Sequence, residues 1–326
     1  MLKIIGIGNA LVDVLIRMDD DMFLEKFSLP KGSMQLVDEE FVSRFSQALK
    51  SVEKQLASGG SAANTIYGLA NLGIETAYIG KIGKDEFGKT FSDDLKKNKI
   101  QPLLFYSTTD TGCAHTLISK DGERTFATYL GAATEQLAGD INSELLKGFD
   151  IFHIEGYLVF NHDLLIKAAE AAHANHITVS LDLASYNVVE ANLDFLKDFV
   201  KNNVDILFAN EEEAKAFTGK EPMDALNEIA EMCKIAVVKI GSKGSLIKTN
   251  GKTYTSGIIP VNCIDTTGAG DLYASGFLYG ITKGLSPDKC GEIGAILSGN
   301  VIEVIGAKMD EARWEKIKLA VKKIEQ

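Results

Sequence analysis

The chain of 326 residues has little of what marks secreted, metal-clustered or disordered proteins. Its four cysteines, Cys113, Cys233, Cys263 and Cys290, form no CxxC unit and no zinc spacing, so they read as reduced thiols of a cytoplasmic protein. Only five prolines and no low-complexity stretch leave no sign of an interdomain linker. Positive charge is scarce: 34 Lys+Arg stand against 45 Asp+Glu, a net charge of −11 with no basic block. That balance speaks against nucleic acid and against a membrane surface as partners. Long apolar runs are missing as well. The longest uncharged run, 55–74, carries four glycines, two asparagines and two serines, so it is no transmembrane helix. The opening MLKIIGIGNALVDVLIRMDD reads as a core strand, not as a signal peptide. His173 and His176 are spaced i, i+3 without a third ligand, and no Ser-His-Asp or Cys-His spacing exists, so a histidine metal site and hydrolase chemistry have no candidates here.

What remains is ordinary globular usage, 45% hydrophobic and 24% charged. Apolar runs of strand length (3–8, 76–80, 150–156, 178–182, 205–210, 235–241) alternate with helix-period segments (61–72, 85–97, 162–174, 192–202, 211–218). This rhythm predicts an α/β fold: a doubly wound, mostly parallel sheet with helices on both faces, in a single domain over 1–326. Three further helices are expected at 268–282, 287–304 and 310–324. Segments at about 11–18, 31–38 and 101–130 break the rhythm, with Asp121-Gly122 as a hairpin turn, and predict a small antiparallel β lid.

The strongest chemical signal is IDTTGAGDLYASGFLYG, 264–280. Its turn offers the N–H groups of Gly268, Ala269 and Gly270 at a helix start, where unpaired donors and the helix dipole attract an anion. Asp271 lies just inside. A carboxylate beside an oxyanion-binding turn suits proton removal from an alcohol while the amides hold charge growing on a phosphoryl group. In QLASGGSAANTIYG, Gly59 and Gly60 permit close approach of a polyol, and Asn64 follows in the first helical turn. Asn9 and Asp13 in GIGNALVD lie where the first strand exits, and a carboxylate there suits two sugar hydroxyls. The same segment imitates a dinucleotide fingerprint, but strand rather than helix follows it.

GKDEFGKT, 83–90, matches the P-loop pattern letter for letter. Asp85 and Glu86 would aim two negative charges into the phosphate cradle, however, and no Walker-B partner is evident. The segment therefore reads as a turn in which Asp85 caps a helix. In ANEEEAKAF, Asn210 and Glu213 suit a hydrated Mg²⁺, or else form a capping box. Gly241 and Gly244 fit a turn against a nucleotide, and Lys239 either steers phosphates or is solvated.

In their order along the chain, GNALVD, GGSAAN, GKIGKDEFG, NEEE and DTTGAGD resemble the ribokinase-like (PfkB) carbohydrate kinase family. The resemblance implies a large βαβ body with a β lid, and transfer of the γ-phosphoryl of ATP to a primary alcohol. By it Asp271 is the base, and Gly268, Ala269 and Gly270 form the anion hole. Asp13, Gly60 and Asn64 hold the acceptor, with Asn9 nearby. Asn210 and Glu213 organise Mg²⁺, while Gly241 and Asn300 line the ATP site. Asp265 and Thr266 match positions that in some members bind a monovalent cation such as K⁺. KGSMQLVDEEF, Arg124 in the lid and Tyr157 resemble the adenosine kinase-like members, with Arg124 reaching phosphates and Tyr157 stacking on a base. A nucleoside is thus the expected acceptor, and a ribose- or fructose-type sugar the alternative. Glu155, and Lys239 where many members have Thr, depart from the pattern. A non-catalytic sensor on the same fold would need no base at 271. The expected assembly is a monomer, or a homodimer through the lid edges.

Overall fold

The computed structural model describes residues 2–50, 52–120 and 123–326, so the Asp121-Gly122 turn lies outside the described residues. In chain order the strands are β1 (Ile4–Ile7), β2 (Leu11–Arg17), β3 (Met34–Leu36), β4 (Gln55–Gly59), β5 (Thr76–Gly83), β6 (Ile100–Ser107), β7 (Thr111–Ile118), β8 (Arg124–Gly131), β9 (Ile151–Glu155), β10 (Thr178–Asp182), β11 (Ile206–Asn210), β12 (Ile235–Lys239), β13 (Ser245–Thr249) and β14 (Lys252–Ser256). Nine form one sheet in the order β14-β13-β12-β11-β10-β9-β1-β5-β6. Pairing is parallel from β12 through to β6, and the β13–β14 hairpin adds an antiparallel edge.

The strands are apolar throughout because both faces are covered. Alternation along each strand sends Ile4, Tyr78, Phe208 and Val237 into one core, and Ile5, Ile7, Ala77, Ile79, Leu207 and Val238 into the other. Helices Ser61–Asn71, Ala269–Thr282 and Pro287–Val301 pack over the first core. His162–Ala174, Leu193–Asn203, Glu211–Thr218 and Pro222–Ile229 cover the second. The three C-terminal helices and the five central ones fall within a few residues of expectation. Helices Met22–Lys26, Glu39–Ala48, Tyr186–Ala191 and Pro222–Ile229 carry no counterpart in the sequence reading. The first and third span only 5 and 6 residues, too short for a helical period to emerge.

The lid is a second sheet, β3-β8-β7-β2-β4. It contains the expected antiparallel pairs, β7 with β8 and β2 with β4, but β2/β7 and β3/β8 run parallel. Two segments differ from expectation. Ile100–Ser107, expected in the lid, lies parallel to β5 at the edge of the large sheet. Its half-buried positions resemble those of a lid strand because an edge strand is also only partly covered. Gln55–Gly59, read only for its Gly59-Gly60 pair as a place of close approach for a polyol, is the lid strand β4, pairing with β2.

β1 is flanked by β9 on one side and β5 on the other, so the winding reverses there. In open α/β sheets that switch point, at the carboxyl ends of the strands, is where a crevice opens.

Candidate active site

Asn9 follows β1, while Glu155, Asp182, Asn210 and Lys239 end β9, β10, β11 and β12. All five line one cavity of about 2140 Å³, which also includes Asp13, Gly60, Ser61, Asn64, Tyr157, Gly241, Gly244, Thr266, Ala269, Gly270 and Asp271. A small-molecule pocket usually encloses roughly 300–1,000 Å³, so this one has room for two ligands side by side.

Asp271 stands in the first turn of helix Ala269–Thr282. Ser61 Oγ donates to its Oδ1 at 2.7 Å and Asn64 Nδ2 to its Oδ2 at 3.0 Å. Each such bond to a charged group contributes about 1.5–3 kcal/mol. Both donors come from helix Ser61–Asn71, and the two helices are further locked by Ser275 Oγ donating to the Thr65 carbonyl at 2.7 Å. Burial pushes the Asp271 carboxyl up to about 6, with Asp182 adding to the rise, while the Asn64 and Ser61 bonds and Lys239 pull it down. Such a group is ionised at neutral pH yet basic enough to accept a proton. Gly268 takes φ +76°, and a Cβ there would meet that of Ala307 at 2.7 Å. It bends the chain into the helix. The Ala269 N–H donates to the Thr266 carbonyl at 3.1 Å, so Gly270 and Asp271 carry the first-turn donors that face the cavity.

Asp13 is held against the lid strand β4. A Cβ on Gly59 would lie 2.3 Å from its Oδ1, so only glycine fits opposite it. Burial also pushes the Asp13 carboxyl up to about 6, opposed by Lys308 and reinforced by Asp271. Glu155, which the sequence left without a role, is 1% exposed and joins the two segments carrying this half of the site. Its Oε1 accepts from the Asn9 N–H (3.2 Å) and Asn9 Nδ2 (2.8 Å), and its Oε2 accepts from the Ala62 N–H (3.1 Å). Burial raises Glu155 to about 7 despite those three donors. Gly8 has no room for a side chain because Glu155 Oε2 would lie 2.4 Å from its Cβ.

On the other side, Lys239 Nζ donates to Asp182 Oδ2 at 2.9 Å and sits beside Gly270. It is buried rather than solvated. Burial works against its charge, but Asp182, Glu213 and Asp271 hold its pKa above the ordinary value. Asn210 and Glu213 form a capping box: Asn210 Oδ1 accepts from the Glu213 N–H at 2.8 Å, while Glu213 Oε2 and Oε1 accept from the Asn210 N–H and Nδ2, both at 2.7 Å. Each of these oxygens accepts one bond and keeps a second lone pair, which fits a cation held through its water shell. Among the described residues no group of three or more His, Cys, Asp or Glu could hold a metal ion. Gly241 takes φ +55° and nothing lies within 4 Å of its outward side, leaving open space for a ligand.

The sequence pattern of the pfkB family carbohydrate kinases matches residues 34–312. The chain belongs to that family. It is similar to a nucleoside kinase of Methanocaldococcus jannaschii, 28% identical over 97% of this chain and 96% of that one. Its structure resembles an adenosine kinase from Sinorhizobium meliloti, with TM-score 0.87 and 32% identity over 98% of this chain and 99% of that one. It also resembles a probable sugar kinase from Rhizobium etli, with TM-score 0.87 and 33% identity over 98% of both. The chain is thus a kinase of the nucleoside and sugar class, a phosphotransferase with an alcohol acceptor, on the ribokinase-like fold. Kinases of this family imply ATP and usually Mg²⁺, and no helix among the described residues is long and apolar enough to cross a membrane.

Several family positions lie elsewhere than expected. Among the described residues, Gly59, Arg124, Asp265, Gly268 and Asn300 do not line the cavity. Gly59 and Gly268 act from behind it, as described. Arg124 pairs its guanidinium with Asp265, bridging lid strand to body instead of lining the cavity. Asp265 also accepts from the Thr267 N–H (2.8 Å) and the Gly306 N–H (2.6 Å). The Asp265 side chain is thus engaged with the lid and its own turn, while Thr266 lines the cavity. Asn300 donates Nδ2 to the Ile296 carbonyl at 2.8 Å inside its own helix, and Ser298 and Gly299 line the cavity instead. Gly244 lines the cavity, but its φ of +95° serves the turn packed on Ser256. Missed entirely were Ser61 and Asp182. Ser61 sits at a helix start, where a serine usually serves as a cap, and Asp182 ends a strand with no flanking motif. The P-loop match is a joint between body and lid. Asp85 caps helix Glu86–Lys97 through the Gly88 N–H (2.6 Å) and accepts from the Thr111 N–H (2.6 Å), while Lys89 pairs with exposed Asp93.

Proposed function

We propose that the chain transfers the γ-phosphoryl of ATP to the hydroxymethyl group of a nucleoside. The observation that carries this is the Asp271 carboxylate, fixed by Ser61 and Asn64 at a helix start and sharing one cavity wall with Asp13. Asp13, Asn9, Gly60 and Asn64 hold the sugar hydroxyls, and Tyr157 with the neighbouring apolar wall takes the base. Asp271 accepts the proton of the attacking hydroxyl. The turn at Gly268–Gly270, chiefly through the Gly270 amide, holds charge on the phosphoryl oxygens as it passes in line. Lys239, beside Gly270, neutralises part of that charge, and Gly241 and Gly244 border the nucleotide. Asn210 and Glu213 hold Mg²⁺ through water; when bound, the ion neutralises phosphate charge.

The test is ADP release against a panel of nucleosides and sugars, for wild type and Asp271→Asn. The variant is expected to lose on the order of 10³–10⁵ in kcat while still binding ATP. Near-wild-type turnover refutes the role of Asp271. A panel in which ribose or fructose reacts and no nucleoside does refutes the acceptor.

A further inference from the structure

One buried cation beside the site has no part in the scheme above. Lys308 lies in the connection between helices Pro287–Val301 and Glu311–Glu325. Its side chain is 21% exposed, yet the ammonium at its tip is buried and has no hydrogen-bond partner among the described residues. That reverses the usual arrangement, in which the apolar stem is covered and the charge stays wet. The ammonium sits 4.1 Å from the centre of the Tyr67 ring, and Asp94 Oδ2 is 4.0 Å away, too far for a hydrogen bond. That oxygen already accepts from the Ser58 N–H at 3.2 Å and from Ser58 Oγ. A charge buried with its donors unspent is costly unless neighbouring charges offset the loss of water.

The neighbours are anions of the acceptor half of the site. Gly306, in the same connection, packs on β2: a Cβ there would meet Leu15 Cδ1 at 3.3 Å. Leu15 is two residues from Asp13, so both point from the same face of that strand. From the other side Ser58 ties Asp94 to β4, and the next residue, Gly59, lies against the Asp13 carboxylate. Burial lowers the Lys308 pKa below its ordinary value, with Asp94, Asp13 and Asp271, in that order, working against it. In return Lys308 opposes the rise that burial imposes on Asp13. Two further titratable groups border the cluster. The Tyr67 hydroxyl donates to the Met309 carbonyl (3.1 Å) and accepts from Trp314 Nε1 (3.0 Å), and Asp310 acts on Tyr67. Lys308 itself does not line the cavity, so whatever it does to a ligand passes through another residue.

We infer that Lys308 is a positioning residue of the acceptor site: its buried ammonium lies behind Asp13 and holds that carboxylate in the ionised form that receives acceptor hydroxyls. A protonated Asp13 would turn one of its accepting oxygens into a donor. The inference rests on the reading of Asp13 given above.

The experiment measures kcat and kcat/KM between about pH 5 and about pH 8.5, with ATP saturating. The acceptor is whichever of adenosine, inosine, ribose and fructose wild type turns over fastest. In Lys308→Met, a replacement of similar length without the charge, the acid limb of acceptor kcat/KM should move up by about one pH unit. Starting from about 6, that is a loss of roughly fivefold at pH 6 and of less than about twofold at pH 8. The limb of kcat should move less than half as far, because bound acceptor already holds Asp13 ionised. In Asp94→Asn the field of the ammonium loses its competitor, and the kcat/KM limb should move down by about half a unit. A stationary kcat/KM limb in Lys308→Met overturns the inference. Equal movement of both limbs assigns the field to Asp271 and overturns it as well. So does a limb that stays or rises in Asp94→Asn, a reading that needs no change at Lys308. Acceptor kcat/KM left intact by Asp13→Asn, or no turnover with any of the four acceptors, instead overturns the reading of the site, and the role of Lys308 with it.

Discussion

At the proposed acceptor end of the cavity, Asp13 and Asp271 are half-buried and Glu155 is buried, with Asn64 reaching across to Asp271 and Asn9 to Glu155. At the nucleotide end the wall is backbone and apolar side chain: Gly241, Gly244, Ile258, Ile259, Pro260 and Gly299. The contrast follows from what each end must do. Proton removal needs a base fixed in angle and distance, which requires side chains whose rotamers are locked by partners. A polyphosphate nucleotide is large and anionic, and turn geometry with a few cations and apolar surface suffices to hold it. The carboxylates of the first end are raised in pKa, while the buried charges beside the second, Lys239 and Asp182, neutralise one another.

Substitutions at the two ends should separate accordingly. Asp13→Asn should lower kcat/KM for the acceptor by roughly 100- to 1,000-fold and leave the KM for ATP within about threefold. Steady-state titration of each substrate checks this, and a parallel loss for ATP would merge the two ends. Gly241→Val reverses the pattern. A β-branched residue is strained at φ +55° and intrudes on open space, so the KM for ATP should rise about tenfold with the acceptor KM unchanged.

Glu155 sharpens the comparison through pH. Its carboxyl is raised from the ordinary 4.5 to about 7, so the folded state binds its proton more tightly than the unfolded state. The stability it contributes is fully present below about pH 4.5 and is lost as pH rises through about 7, a loss of about 3 kcal/mol. Glu155→Gln has no such titration. The thermal stability advantage of wild type over the variant should shrink between pH 4.5 and 7.5, and an advantage that grows across that range contradicts the burial argument. Lys89→Ala marks the small end of the scale. Lys89 lies outside the cavity and pairs with an exposed aspartate, so kcat and the KM for ATP should stay within about twofold.

How much of this the sequence revealed divides along the same line. The parallel sheet was legible because strands covered on both faces must be apolar without interruption, as in Ile206–Asn210. The GAGD turn was legible because glycine next to a helix start has few uses. β6 was misplaced because a partly covered strand does not report which sheet it joins. Glu155 was opaque for a different reason. Its partners, Asn9 and Ala62, are distant in sequence, and no local spacing encodes such bonds. Asp265 was assigned to a cation by resemblance, while the lid's Arg124 takes its place across the joint.

The central claim is that the Asp271 carboxylate takes the proton of the acceptor, and the pH dependence of kcat tests it most directly. Wild type should show a rate that climbs about tenfold per pH unit on the acid side and levels above an apparent pKa of about 6. The residual rate of Asp271→Asn should lack that limb. The same acid limb in both proteins would assign the titration to another group and contradict the account.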